Sequence, residues 1–130
     1  MLSVKTVAAT VAVKDLEAAK AFYEGKLGLE ETETDGENYI AYKSGESELL
    51  VYQSQFAGGY NATVATWDAG DDVESVVKDL KQKGVTFEHY SDLPDTKLKG
   101  DVHISGDMQM AWCKDPDGNI LAFVGTAGNA

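Results

Sequence analysis

Few side chains here could carry acid–base or nucleophilic chemistry near neutral pH: two histidines, His89 and His103, and a single cysteine, Cys113. Both histidines lie close in sequence to carboxylates, namely Asp92, Asp95, Asp101 and Asp107. An imidazole beside carboxylates can act as a general acid or base, or contact a ligand from a lid over a pocket. The other reading makes both of them exposed residues of a polar segment, and the surroundings favour it more for His89 than for His103. His103 is therefore the one catalytic candidate. Cys113 sits in an apolar stretch with Lys114 as its only positive neighbour, the setting of an inert core thiol rather than a nucleophile. No serine–histidine–aspartate or cysteine–histidine spacing is present, and one cysteine cannot form an internal disulfide.

Charge narrows the partners. With 22 acidic against 11 basic residues, the formal net charge is −11. Nucleic acid and anionic membrane surfaces would be repelled. A cationic ligand would be attracted, although solubility alone also accounts for such a surface. Hydrophobic residues make up 43 %, enough for a globular core and too many for a disordered chain. No apolar run approaches the roughly 18 residues that span a bilayer. The opening MLSVKTVAATVAVKD alternates like a strand and lacks the basic start of a signal peptide, so a cytoplasmic protein is expected.

The elements that must position these groups read as strand, helix and three strands, twice over. Val4 to Val13 has the composition of a buried strand, and Asp15 caps a helix with Glu17 in its first turn. Leu16, Ala19, Phe22, Tyr23 and Leu27 fall on one face of a helix over 16–27, which Gly28 stops. Strands are expected at 29–34, 38–43 and 47–53, separated by Asp35-Gly36 and Ser44-Gly45 turns. Residues 54–61 read as a linker. The second half offers a strand at 62–69, an Asp71-Asp72 cap, and a helix with Val73, Val76, Val77 and Leu80 as its stripe. A short strand at 85–90 follows, then a polar, irregular cover over 91–107. Strands at 108–113 and 119–125 flank the tight turn Asp115-Pro116-Asp117-Gly118, and the tail from Thr126 is expected to fray. The economical reading is one α+β domain over 1–130, built from two βαβββ modules at 4–53 and 62–125.

Two motifs resemble a known family. Residues 11–29, with Phe22-Tyr23 followed by Leu27-Gly28-Leu29, resemble the first module of the vicinal-oxygen-chelate superfamily of glyoxalases, bleomycin-resistance proteins and extradiol dioxygenases. Lys114 to Leu121 resembles the turn before that family's closing strand. The resemblance covers 4–125. It implies curved mixed sheets around a central cup that holds a small ligand, and homodimers, sometimes with exchanged halves. It does not settle activity, because the family includes lyases, isomerases, dioxygenases and proteins that only sequester a drug.

In that family a divalent metal is usually held by four side chains, one on each of four strands. The positions that correspond here are Ala8, Val51, Ala65 and Ala122, with Thr63 the alternative to Ala65 if a bulge shifts the register. Methyl and isopropyl groups offer no lone pair to a cation, so no metal and no cofactor are expected. Strand alternation then implies an apolar cup. Its lining would be Ala8, Thr10, Val51, Gln53, Thr63, Ala65, Trp67 and Ala122, with Met108, Met110 and Trp112 on another strand. Phe56, Tyr60 and either Tyr39 or Tyr42 would stand at the rim. The leading expectation is a metal-independent binding protein that sequesters a cationic or aromatic compound. A lyase, isomerase or dioxygenase-like enzyme with an unusual metal set or an acid–base histidine is the second. An interaction protein whose cup is filled by its own side chains is the third.

Overall fold

The structure, a computed structural model, describes residues 8–58 and 62–126. In the first half, β1 (Ala9–Val13), α1 (Leu16–Lys20) and a π-helical turn (Ala21–Lys26) precede β2 (Glu30–Thr34), β3 (Tyr39–Ser44) and β4 (Ser47–Gln53). The strands form one sheet in the order β1-β4-β3-β2, parallel between β1 and β4 and antiparallel elsewhere. The second half runs β5 (Thr63–Gly70), α2 (Val73–Gln82), β6 (Lys97–Lys99), β7 (Val102–Ser105), β8 (Met108–Lys114) and β9 (Ile120–Thr126). Its sheet is ordered β5-β9-β8-β7-β6, again parallel only between its first and last strands. The architecture is α+β, with the strand–helix–strands winding repeated and one more strand after the helix in the second half than in the first.

Asp15 caps α1 as its sequence position suggests: its carboxylate accepts from the Glu17 and Ala18 amides at 2.9 and 3.4 Å. The helix does not continue as a single α-helix to Leu27. Beyond Lys20 the turn widens, and the Leu27 amide reaches back five residues to the Phe22 carbonyl at 3.0 Å. The wider turn lets two adjacent aromatic residues, Phe22 and Tyr23, both be buried. On α2 the stripe of Val73, Val77 and Leu80 is buried as its spacing requires, but the Asp72 side chain at the N-cap makes no capping bond.

Two segments depart from expectation. Residues 85–90 form no strand; Phe87 makes an isolated bridge to Cys113, and the Glu88 amide bonds to the Trp112 carbonyl. The polar cover over 91–107 is not wholly irregular, since 97–105 folds into the β6–β7 hairpin and extends the second sheet. Its alternation was masked by lysines, which suit the open edge strand β6.

One hydrophobic core joins the two halves. It takes in both helical segments and the same side of both sheets: Val11, Val13 and Val51 from the first, Ala111, Cys113 and Leu121 from the second. β1 and β5, the inner edges of the sheets, lie against each other without a shared hydrogen-bond ladder. The polar tie between the halves is centred on Asp115, only 5 % exposed. Its carboxylate accepts the Tyr23 hydroxyl at 2.9 Å, the Asp117 and Asn119 amides, and the Asn119 side-chain amide. Asn119 also donates to the Ala12 carbonyl at 2.7 Å, and Asp117 accepts from the Lys14 amide. Gly118, at φ +85°, closes the turn in a conformation that side chains resist.

Gly125 carries a different constraint. A Cβ there would run into the Gly70 carbonyl oxygen, where β9 passes the second irregularity of β5. Gly125→Ala is expected to lower unfolding free energy by about 1–3 kcal/mol in urea titrations, the usual cost of overpacking. Tyr23→Phe, which removes one of several donors to Asp115, should cost about 1–2 kcal/mol, and Asp115→Ala, which orphans all of them, distinctly more. Equal losses in the last two variants would contradict the carboxylate-centred tie.

Candidate functional site

Both helical segments pack on one side of the sheets. The opposite side is bare of helix, though Ala122 and His103 on it are buried, and a ligand would bind on its open part. Register decides which residues stand on it. In the first sheet Val11 pairs with Val51 in the core, so Thr10 and Ala12, paired with Leu50 and Tyr52, are on the bare side. Ala8 precedes β1 in step with Thr10. Val51 and Gln53 therefore do not line this face, contrary to the sequence expectation; their places are taken by Leu50 and Tyr52. Tyr39, in register with Tyr52, stands on the bare side, whereas Tyr42 is fully buried with its hydroxyl donating to Glu24 at 3.0 Å. Burial, with Glu24 close by, holds the Tyr42 phenol well above its ordinary pKa.

In the second sheet a bulge between Thr63 and Ala65 resets the phase. Thr63 pairs with Ile120 on the bare side, but Ala65 pairs with Leu121, and Trp67 with Phe123, in the core. Ala65 and Trp67 are thus corrected to the helix side. The Trp67 ring stacks on Phe123 at 5.5 Å, and its N–H donates to the Ser44 hydroxyl at 2.7 Å. Thr66, opposite Ala122, replaces Ala65 on the bare side. Ala122 itself lies between Thr66 and Trp112, and Met110 and Met108 follow Trp112 along β8. Phe56 is 75 % exposed beyond β4, and Tyr60 falls outside the described residues.

The donor set on the bare side does not fit a divalent metal. At and beside the four relevant positions stand Ala8, Thr10, Leu50, Tyr52, Thr66 and Ala122, which supply hydroxyls and no carboxylate or imidazole. Among the described residues no three His, Cys, Asp or Glu side chains cluster as a metal site requires.

His103 is not the exposed loop residue that its polar segment suggests. It lies on β7 in register with Met110, is 0 % exposed, and packs edge-on to Trp112 at 4.9 Å and beside Tyr90 at 5.9 Å. Its Nε2 accepts the Tyr90 amide at 2.9 Å, which assigns the proton to Nδ1 in the neutral ring. Among the described residues Nδ1 has no partner in hydrogen-bond geometry, and neither has the Tyr90 hydroxyl. Burial pushes the His103 pKa below its ordinary value, with the Met110 carbonyl beside it and Asp101 opposing and His89 reinforcing. Tyr90 was missed in sequence because nothing marked residue 90 as a neighbour of residue 103.

His89 is drawn elsewhere. It is exposed, with Nε2 2.7 Å from Asp101, whose carboxylate also pairs with Lys81 of α2 at 2.6 Å. Hydrogen bonds from Lys81 and His89 hold Asp101 below the usual carboxylate range. The two histidines thus do not form one site. Cys113 is fully buried, and desolvation pushes its thiol up to about 12, so it is no nucleophile at neutral pH.

Two expectations follow from these groups. Because folding lowers the His103 pKa, the unfolded chain binds the extra proton, and stability falls as pH drops below about 6.5 towards the lowered folded value. His103→Gln should flatten that part of the profile in urea midpoints measured between pH 7.5 and 5.5; an unchanged slope would assign the dependence to other groups. Cys113 should be silent to a thiol reagent in the native protein and react fully once the chain is unfolded.

Comparison with known proteins agrees with this arrangement. The model of the Glyoxalase/Bleomycin resistance protein/Dioxygenase superfamily matches residues 5–123. Comparison with curated protein sequences finds no match. Among solved structures, a glyoxalase/bleomycin resistance protein/dioxygenase from Alicyclobacillus acidocaldarius superposes with a TM-score of 0.71 at 21 % identity, over 95 % of this chain and 92 % of that one. A lactoylglutathione lyase from Agrobacterium tumefaciens gives 0.67 at 20 % identity, over 93 % of both chains. The fosfomycin resistance protein FosX from Listeria monocytogenes gives 0.68 at 13 %, over 94 % and 93 %. At these identities the structures speak for the fold alone, but the family match spans nearly the whole chain: it belongs to the Glyoxalase/Bleomycin resistance protein/Dioxygenase superfamily.

Proposed function

We propose that this chain binds a flat, apolar small molecule on the bare side of its sheets, without metal, and acts by holding it rather than by transforming it. The observation that carries this reading is the chemistry of the inward positions. Where a metal would need carboxylates or imidazoles, the chain places alanines, threonines, a leucine and a tyrosine. The neighbouring surface is aromatic and thioether-rich: Trp112 with Tyr90 across it at 5.3 Å, Met110 and Met108 beside it, and Tyr39 and Tyr52 on the first sheet. Aromatic faces and polarisable sulfur suit a planar ring, and tyrosine and tryptophan faces also attract cations. The charges that share this face include Glu30, Glu33, Glu48 and Asp68 against Lys43 and Lys114, which favours a positively charged ring system over an anionic one.

An acid–base role for His103 has less support. No part of the ring reaches solvent, and its Nε2 is committed to the Tyr90 amide.

The test uses the Trp67→Phe variant, which leaves Trp112 as the sole tryptophan. Titration with neutral and cationic planar aromatic compounds should quench its fluorescence. Calorimetry should show Trp112→Ala weakening the best of them tenfold or more, about 1.4 kcal/mol. Added zinc or manganese should leave the affinity unchanged. Silence across the panel, or affinity that appears only with stoichiometric metal, would reject the proposal.

A further inference from the structure

The helix side of the molecule holds a cavity, across the second sheet from Trp112. It measures about 510 Å³ and lies where the end of the π-helical turn, the β3–β4 hairpin, β5 and α2 meet. That is within the range of small-molecule pockets. Its apolar surface comes from Leu27 and Leu29 of the first half and from Trp67, Val76, Leu80 and Phe123 of the second.

Two features of this cavity point to one class of occupant. The first is the state of the indole. Trp67 has already given its only N–H to Ser44, so what it offers the cavity is ring surface, in register with the stacked ring of Phe123. The second is charge. The charged side chains that border the cavity from the helix side are Asp72 and Asp79, and no lysine is among its lining residues. Asp72 holds the N-cap position of α2 yet leaves its capping bond unmade, so its carboxylate is not consumed by the helix. Asp79 pairs only loosely with exposed Lys83, at 3.4 Å. An apolar, aromatic chamber bordered by carboxylates complements an apolar body that carries a positive charge. A neutral molecule would leave the carboxylates unused, and an anion would be repelled.

We infer that this cavity binds a small hydrophobic ammonium compound, its ring or alkyl body against Trp67 and Phe123 and its cationic nitrogen beside Asp72 and Asp79. The site is separate from that of the proposed function, since Trp67 and Trp112 lie on opposite sides of the second sheet.

The two tryptophans make the inference testable on the intact chain. In a ¹⁵N-labelled sample each gives one indole N–H signal, assigned with Trp67→Phe. Titration with 4-phenylbutylammonium should shift the Trp67 signal and the backbone amides around Asp72 and Asp79, leaving Trp112 in place. The uncharged 4-phenylbutan-1-ol should bind at least tenfold more weakly. Asp72→Asn/Asp79→Asn, checked for folding by its spectrum, should bring the ammonium down to the level of the alcohol. Should that variant not fold, raising the ionic strength must weaken the ammonium and spare the alcohol. Equal affinity of the two probes, a response centred on Trp112, or no response overturns the inference. A response at Trp112 alone would instead favour the binding face of the proposed function, so the two readings fail separately.

Discussion

The fold depends on a single buried carboxylate. Asp115 gathers the Tyr23 hydroxyl, two backbone amides and the Asn119 side chain, and Asn119 in turn holds the Ala12 carbonyl at the end of β1. A carboxylate out of water is costly unless its oxygens are met by donors, and here the donors come from both halves of the chain. The arrangement explains why the recognisable residues are what they are. Phe22-Tyr23 must sit on a widened helical turn so that the phenol reaches across, and Asp115 to Asn119 must turn tightly enough to present several donors to one group. Burial and the neighbouring Asp115 charge drive the Tyr23 phenol far above its ordinary pKa, so it is a donor at neutral pH. These two motifs are thus structural, and their presence says nothing about catalysis. Chemistry has to be sought on the bare face, and that face lacks the side chains for metal work.

Much of this was legible from residue order. The caps, the helix faces, the hairpin turns and the coincidence of β4 with 47–53 follow from periodicity and turn chemistry. The phase of two strands did not. Leu49-Leu50-Val51-Tyr52 is apolar at both parities, so alternation alone cannot say which pair faces the helix; packing against Val11 and Val13 decides. In β5, an extra residue at Val64 and the irregularity near Gly70 are invisible in a run of small and β-branched residues, and the bulge turned Ala65 and Trp67 inward. His103 was obscured by composition, because lysines and aspartates on both sides hid a strand residue that is completely enclosed.

The site residues brought together differ accordingly from those expected. Thr63, Met108, Met110, Trp112 and Ala122 stand on the bare side with Thr10 and Ala8, and Leu50, Tyr52, Thr66 and Tyr90 join them. What unites the newcomers is that each required a long-range pairing to be placed. The reassignment of Trp67 had a further effect: it moved an aromatic platform from the expected ligand face to the seam between the halves, where it helps to build a cavity of its own.

The Asp115 cluster also sets a timetable for the chain's maturation. Tyr23 and its acceptor are 92 residues apart, and Asn119 and the Ala12 carbonyl are separated by 107. Each sheet likewise closes through a parallel pairing of its earliest and latest strands. During synthesis the first half must wait, its phenol unsatisfied and its apolar side uncovered, until Asp115 to Asn119 have left the ribosome. Contacts this remote in sequence slow folding and lengthen exposure to aggregation. Loss of the 115–119 turn therefore strips the first half of its anchor, even where every strand of that half remains.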